Sequence, residues 1–287
     1  MKFEKKNHHY VPQFWQRGFT DAHGKLFGRT RKRITEVSPK YTMQENWLYT
    51  IFDIHWNPSD SLEDSLSVDE ATAAALFRRI KTHGSATTTA DRDELCSVLA
   101  LQACRHPDIM HLGHRRAKEL GVAIASANSL TSSAFTNLMA TFCISPSDAL
   151  AIYSLMVAKL PEQLAQELDE LNKLSPQDPR LPEQDALRAT PIICAQLQEM
   201  EFTLLDAPLG KEFVLGDTPL PQDHLSHQFS VPISKLVAVF ARPATTPQAI
   251  MTRQTATQAE VDAVNKTQWD NSLHIVVGSS KAVLATL

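Results

Sequence analysis

Apolar residues recur at helical spacing through the middle of the chain, and they alternate in short runs on either side of it. Leu62, Leu66, Ala73, Leu76, Phe77 and Ile80 keep a roughly helical period and predict a helix over 61–82, ended by His83-Gly84. Leu95, Val98, Leu99 and Leu101 predict a second helix over about 89–107, with Thr89 to Asp91 as cap candidates. Its dense apolar run predicts burial on more than one face. Further helices are expected over 108–128, 132–142, 147–159, 161–173 and 183–200. Gly24–Gly28 and Arg33–Val37 flank a polar turn and predict an antiparallel hairpin. Strands are expected at 201–205, 212–215, 235–241 and 274–277, and Ser175 to Glu183, with three prolines, reads as an exposed connection. The sum is an α+β fold: a mainly helical single domain with a small antiparallel sheet and an N-terminal β-hairpin. A basic hairpin segment (1–40) precedes a helical body (60–200) and a mixed strand and helix part (201–287).

Composition fits this picture. The 287 residues are 43% hydrophobic and 21% charged, an ordinary globular balance. No stretch approaches ~20 consecutive apolar residues, and the opening MKFEKKNHH lacks the apolar segment of a signal peptide, so no membrane association and a cytoplasmic location are expected. Cys96, Cys104, Cys143 and Cys194 are widely spaced and form no C-x-x-C pair, so they read as buried thiols.

Charge adds an asymmetry. Residues 1–40 hold ten Lys or Arg against three acids, a local +7 on a chain of net −4. Such a basic end can attract an anionic substrate or nucleic acid. It is equally the composition of a solvated hairpin edge, where Lys and Arg block unwanted strand pairing.

Candidate chemistry concentrates first in Asn7-His8-His9-Tyr10-Val11-Pro12-Gln13-Phe14-Trp15, which places two imidazoles and two aromatics around a proline that stiffens the backbone. Adjacent histidines in extended chain point to opposite sides, so one of the two is expected to enter a site. Gln102 and Arg105, three apart, share a helix face within an apolar stretch. Arg105 there needs an anion, either a protein carboxylate, with Asp217 and Glu63 as candidates, or a substrate phosphate or carboxylate. Asp217-Thr218-Pro219 follows a predicted strand, a position that suits either a catalytic carboxylate or an Asx turn. P-loop, Gly-x-Gly-x-x-Gly, nucleophile-elbow, His-Glu-x-x-His and paired C-x-x-C patterns are absent.

The run HHYVPQFWQRGF, with GKLFGRTRKRITEVSPK, ENWLY at 45–49, LQACRHP at 101–107, GDTPL at 216–220 and VPIS at 231–234, resembles the ordered landmarks of the bacterial family called domain of unknown function 4238. The resemblance covers roughly residues 7–278. Gly216 stands where a serine is common in that pattern, and Val231-Pro232-Ile233 replaces a Phe-Pro-Leu form. The resemblance favours His9 of the histidine pair, and it raises Glu45 to a metal ligand or general base and Asn46 to a positioning group. It places His9, Glu45 and Asp217 inside landmarks, and these residue types fit a mixed nitrogen and oxygen site for a divalent cation such as Mn or Zn.

Two functions of different class follow. One is a metal-dependent or acid–base hydrolase acting on a phosphodiester or other anionic substrate, a nuclease or toxin-like effector. Its catalytic or metal-binding residues would be His9, Glu45 and Asp217, and its substrate-binding residues Arg105, Gln102 and Asn46. The other is a non-enzymatic binding or interaction protein in which these polar residues form a structural network. Convergence on one open pocket would favour the enzyme, whereas a closed network would favour the binding protein.

Overall fold

The computed structural model describes residues 7–52, 58–82, 86–142, 144–159, 163, 187, 189–221, 225–246 and 248–287; at 51, 52, 58 and 110–118 it describes the backbone alone. In chain order the elements are β1 (Asn7–His9), α1 (Gln13–Gln16), β2 (Leu26–Arg29), β3 (Ile34–Val37), β4 (Gln44–Asn46), β5 (Ile51–Phe52), β6 (Pro58–Ser59), α2 (Ser61–Ile80) and α3 (Thr89–Cys104). There follow α4 (Pro107–Ala125), α5 (Ser132–Ala140), α6 (Pro146–Val157), α7 (Thr190–Gln198), β7 (Met200–Asp206), β8 (Leu215–Gly216), β9 (Phe229–Ser234), β10 (Val237–Pro243), β11 (Thr252–Thr255), α8 (Gln258–Asn271), β12 (Val276–Gly278) and α9 (Lys281–Ala285). The contacts divide the chain into two compact units, one of 1–49, 60–107 and 187–287, the other of 50–59 and 108–186.

In the first unit, one sheet has the order β11-β7-β10-β9 and a second the order β3-β2-β12-β8, with a separate β1-β4 pair. β10 carries Val237, Ala238, Val239 and Ala241, all buried, so this strand is covered on both faces. α3 begins with a capping box, Thr88 bonding Asp91 N–H while Asp91 bonds back to Thr88. It buries Leu95, Cys96, Leu99, Ala100 and Cys104, as its apolar run predicts. Each fully buried Leu or Phe of this kind contributes about 1.5–3 kcal/mol. The second unit is helical at its centre, where Phe135, Met139 and Ala149 form a small core and Tyr153 Oη donates to the Leu130 carbonyl at 2.9 Å.

The expected mainly helical architecture with a small antiparallel sheet is corrected. The fold is α+β, but its strands build two four-stranded sheets, and β11 lies parallel to β7. The hairpin β2-β3 is one side of a sheet whose other strands come from the far end of the chain. β9, β11 and α8 are among the elements that the sequence pattern does not predict. β9 contains Pro232, and α8 buries Asn265 and Gln268 alongside Val261 and Val264, so its inward face lacks an apolar stripe. The expected 212–215 strand shrinks to Leu215–Gly216, because α8 takes over the bonding of its backbone. Asn265 Oδ1 accepts from Val214 N–H at 3.0 Å and Gln268 Oε1 from Gly216 N–H at 2.9 Å. The helix expected at 161–173 and Cys143 lie outside the described residues, 163 apart. Among the described residues no helix is long and apolar enough to cross a membrane.

Candidate functional site

The site begins with the β1-β4 ladder, in which His8 lies opposite Glu45, His9 opposite Gln44 and Asn7 opposite Asn46. Strand alternation turns the two imidazoles apart. His8 is fully buried; its Nδ1 accepts the Tyr49 N–H at 2.7 Å, and its ring stacks on Tyr49 at 5.4 Å between centroids. Nδ1 therefore carries the lone pair. His9 is half-buried on the other side, where Nε2–H donates to the Pro39 carbonyl at 2.9 Å. Burial lowers its pKa below 6.5, against bonds to the Pro39 and Lys40 carbonyls that raise it. Met43 (φ 55°) and Trp47 (φ 63°) flank β4 in the left-handed region, at a cost of about 1–2 kcal/mol each. Those turns bring the chain back so that Tyr49 packs beneath His8.

Tyr49 passes the network to Arg105, the C-cap of α3, where a cation is favoured by the helix dipole. Arg105 is 2% exposed. Its Nε donates to Tyr49 Oη at 3.1 Å, and its Nη2 donates to the His9 carbonyl at 2.7 Å and meets Glu70 Oε1 at 2.9 Å. Tyr49 Oη donates in turn to the Arg105 carbonyl at 3.0 Å. Burial opposes the Arg105 charge, but Tyr49 and Glu70 outweigh it and hold the pKa above the usual arginine value. Burial also pushes the Tyr49 phenol up to about 12, while Arg105 pulls it down. One turn back, Gln102 Nε2 donates to the Tyr10 carbonyl at 2.8 Å, so the shared face read from the sequence is turned onto the N-terminal segment. The Tyr10 ring meets His106 edge-on at 5.2 Å, His106 Nε2 lies 3.3 Å from Thr218 Oγ1, and Trp15 Nε1 donates to the Pro232 carbonyl at 2.9 Å.

Asp217 belongs to a different arrangement. It is fully buried just after β8. Its Oδ1 accepts from Leu273 N–H at 2.9 Å, and its Oδ2 from His274 and Ile275 N–H at 2.8 and 3.2 Å. Burial raises the pKa of this carboxyl, with the three backbone donors pulling the other way. The carboxylate closes the loop between α8 and β12. Next to it, a Cβ at Gly216 would come within 2.8 Å of the Gln268 carbonyl, so the close approach of α8 requires glycine here.

These positions correct the sequence reading at two points. Among the described residues no group of three His, Cys, Asp or Glu side chains is placed to hold a metal ion, so His9, Glu45 and Asp217 do not form one ligand set. The carboxylate that meets Arg105 is Glu70, instead of Asp217 or Glu63. Glu45, half-buried, and Asn46, exposed, remain on β4 and belong to the ladder. Glu70 was missed although Leu66, Glu70, Ala73 and Phe77 recur at 4, 3 and 4 residues along α2. A carboxylate within that apolar stripe implies a buried cation opposite it.

The basic hairpin is likewise bound to protein. The Arg29 and Arg31 guanidiniums lie 4.5 and 4.1 Å from the Trp269 ring centroid. Arg29 donates to the Leu284 carbonyl at 2.5 Å, and Arg31 to those of Trp269 and Ser272 at 3.2 and 3.3 Å. Lys25 lies 3.6 Å from Glu36.

Beside the Arg105 network is a cavity of about 230 Å³ between α1, α2 and α3. Pro12, Phe14, Trp15, Ala73, Val98 and Leu101 form its apolar walls. Gln102, Arg105 and Glu70 reach it from the network, and Asp69 and Glu94 add carboxylates.

The family model described as "Protein of unknown function (DUF4238)" matches residues 7–282, and the chain belongs to that family. No curated protein and no solved structure gives a significant match.

Proposed function

We propose that this family member is a non-enzymatic binding protein. Its landmark residues form a structural network that docks the N-terminal segment, and the adjacent cavity receives the ligand. The observation that carries this reading is the state of Arg105, whose guanidinium already meets Tyr49, the His9 carbonyl and Glu70 inside the protein. An arginine held this way serves the fold before it serves a substrate. Asp217 supports the same reading, since both carboxylate oxygens accept from the backbone. Free thiols at Cys96, Cys104 and Cys194 suit a reducing compartment, so the protein is proposed to work in the cytoplasm.

The test is a pair of measurements on the purified full chain. DNA, RNA and nucleotides are incubated with the protein in the presence of Mn or Zn, and Arg105→Met is compared with wild type by thermal melting. No turnover and a clear drop in Tm are expected. Hydrolysis that disappears in both His9→Ala and Glu45→Gln would establish the hydrolase instead.

A further inference from the structure

We infer that the cavity between α1, α2 and α3 binds a small organic cation with an apolar body, of the arylalkylamine class. The inference rests on the binding-protein reading and adds the chemical class of the ligand. Size sets the first limit. An apolar cavity of roughly 150 Å³ holds one benzene ring, so about 230 Å³ accommodates a ring with a short substituent.

Wall chemistry sets the second. Phe14, Trp15, Val98 and Leu101 surround an apolar body, and Trp15 is held in place by its bond to the Pro232 carbonyl and its edge-on packing against Phe77 at 5.0 Å. An aromatic wall that is already fixed loses little entropy when a ligand docks on it.

Charge sets the third. Among the described residues that line the cavity are the carboxylates Asp69, Glu70 and Glu94 and the guanidinium of Arg105. Glu70 is matched to Arg105 at 2.9 Å. Glu94 is shared with Arg79 at 2.6 Å, an arginine outside the lining whose side chain is 50% exposed. Asp69 is exposed. An anion entering would add to a surplus of like charge, which rejects it. An ammonium gains the field of Asp69 and Glu94. The cavity therefore selects against the anionic ligand that Arg105 alone would suggest.

The experiment uses three isosteric probes on the full chain: phenethylamine, 2-phenylethanol and phenylacetate, each titrated by calorimetry and by thermal shift at low and high salt. The amine is expected to bind about tenfold more tightly than the alcohol at low salt, with the carboxylate weakest and the amine's advantage shrinking as salt rises. Asp69→Asn should reduce the amine's advantage and leave the alcohol unchanged. Val98→Trp, which fills the cavity, should abolish binding of all three. If that variant melts early, Ser97→Trp on the exposed rim serves the same purpose without touching the core. Alcohol or carboxylate binding as tightly as the amine, with sensitivity to Val98→Trp, would overturn the ligand class while leaving a binding protein. Absence of binding by every probe at millimolar concentration would also overturn it, whereas the wider reading is tested by the hydrolysis assay and the Arg105→Met melting comparison above.

Discussion

Arg105 and Asp217 are both charged side chains withdrawn from water, at 2% and 0% exposure, and the protein satisfies them by different means. Arg105 is answered by another charge, since Glu70 meets it while remaining 29% exposed beside the cavity. Asp217 is answered by dipoles, three backbone N–H groups of a single loop. A charge paired with a charge can be reached from outside, because its partner touches solvent. A charge wrapped in backbone has no such route, and its work is confined to folding the loop around it. The difference separates the region that can report on a ligand from the region that can only report on stability.

The sharpest way to break this comparison is Asp217→Ala. It leaves three donors without an acceptor, and at roughly 1 kcal/mol for each partly exposed N–H the loss is about 3 kcal/mol. Urea unfolding measures it; a loss within about 0.5 kcal/mol, the usual range for surface changes, would show that solvent replaces the carboxylate freely. Asp217→Asn should cost less, because the desolvation of the charge disappears together with one acceptor.

Arg105→Met comes next, at about 2 kcal/mol. Breaking a fully buried pair costs about 3–5 kcal/mol, and the figure is reduced here because Glu70 can rehydrate at the cavity. Glu70→Gln should be milder still, and the order Asp217→Ala, Arg105→Met, Glu70→Gln in midpoint denaturant concentration is the expected result. An inverted order would place the better-insulated charge at Arg105.

Gly216→Ala should cost about 1–2 kcal/mol by driving a Cβ toward the Gln268 carbonyl. It should loosen the Asp217 loop, seen as faster hydrogen exchange at residues 273–275, while leaving probe binding at the cavity unchanged.

The smallest effects are pH dependences of opposite sign. The folded pKa of His9 is lowered below 6.5, so the unfolded chain takes up its proton first. Its contribution is complete above 6.5 and is lost as pH falls through the lowered value. The folded pKa of Asp217 is raised above 3.8, so its contribution is complete below 3.8 and is lost as pH rises through the raised value. His9→Gln should flatten only the first slope, and Asp217→Asn only the second, in melting curves taken across both ranges.

What could be read in advance follows the type of interaction involved. Helical spacing located α2 and α3, and the pairing of Gln102 with Arg105 on one face was legible because i and i+3 positions adjoin on any helix. At Asp217 the sequence suggested an Asx turn onto nearby backbone, but its carboxylate accepts instead from the N–H groups of Leu273, His274 and Ile275, a long-range contact that local residue types do not reveal. α8 was hidden, because Asn265 and Gln268 face inward to bond β8 and apolar periodicity cannot reveal a polar buried face. Its Thr257 capping box with Glu260 was the available clue. The path of β4 was hidden too, since Met43 and Trp47 adopt left-handed backbone that their side chains do not advertise. Convergence of His9, Glu45 and Asp217 was inferred from family landmarks, and common membership in a pattern carries no distance.

The sheet order β3-β2-β12-β8 has a consequence for how the protein is made. Residues 26–37 leave the ribosome early, yet the strand that pairs with Leu26–Arg29 is Val276–Gly278. At ~5–20 residues per second, the nascent hairpin waits roughly 10–50 s for its neighbour. Through that interval one flank of the hairpin offers unpaired backbone to any passing strand. The density of Lys and Arg there then acts as a temporal safeguard, repelling other nascent hairpins of the same kind until Arg29 and Arg31 close over Trp269.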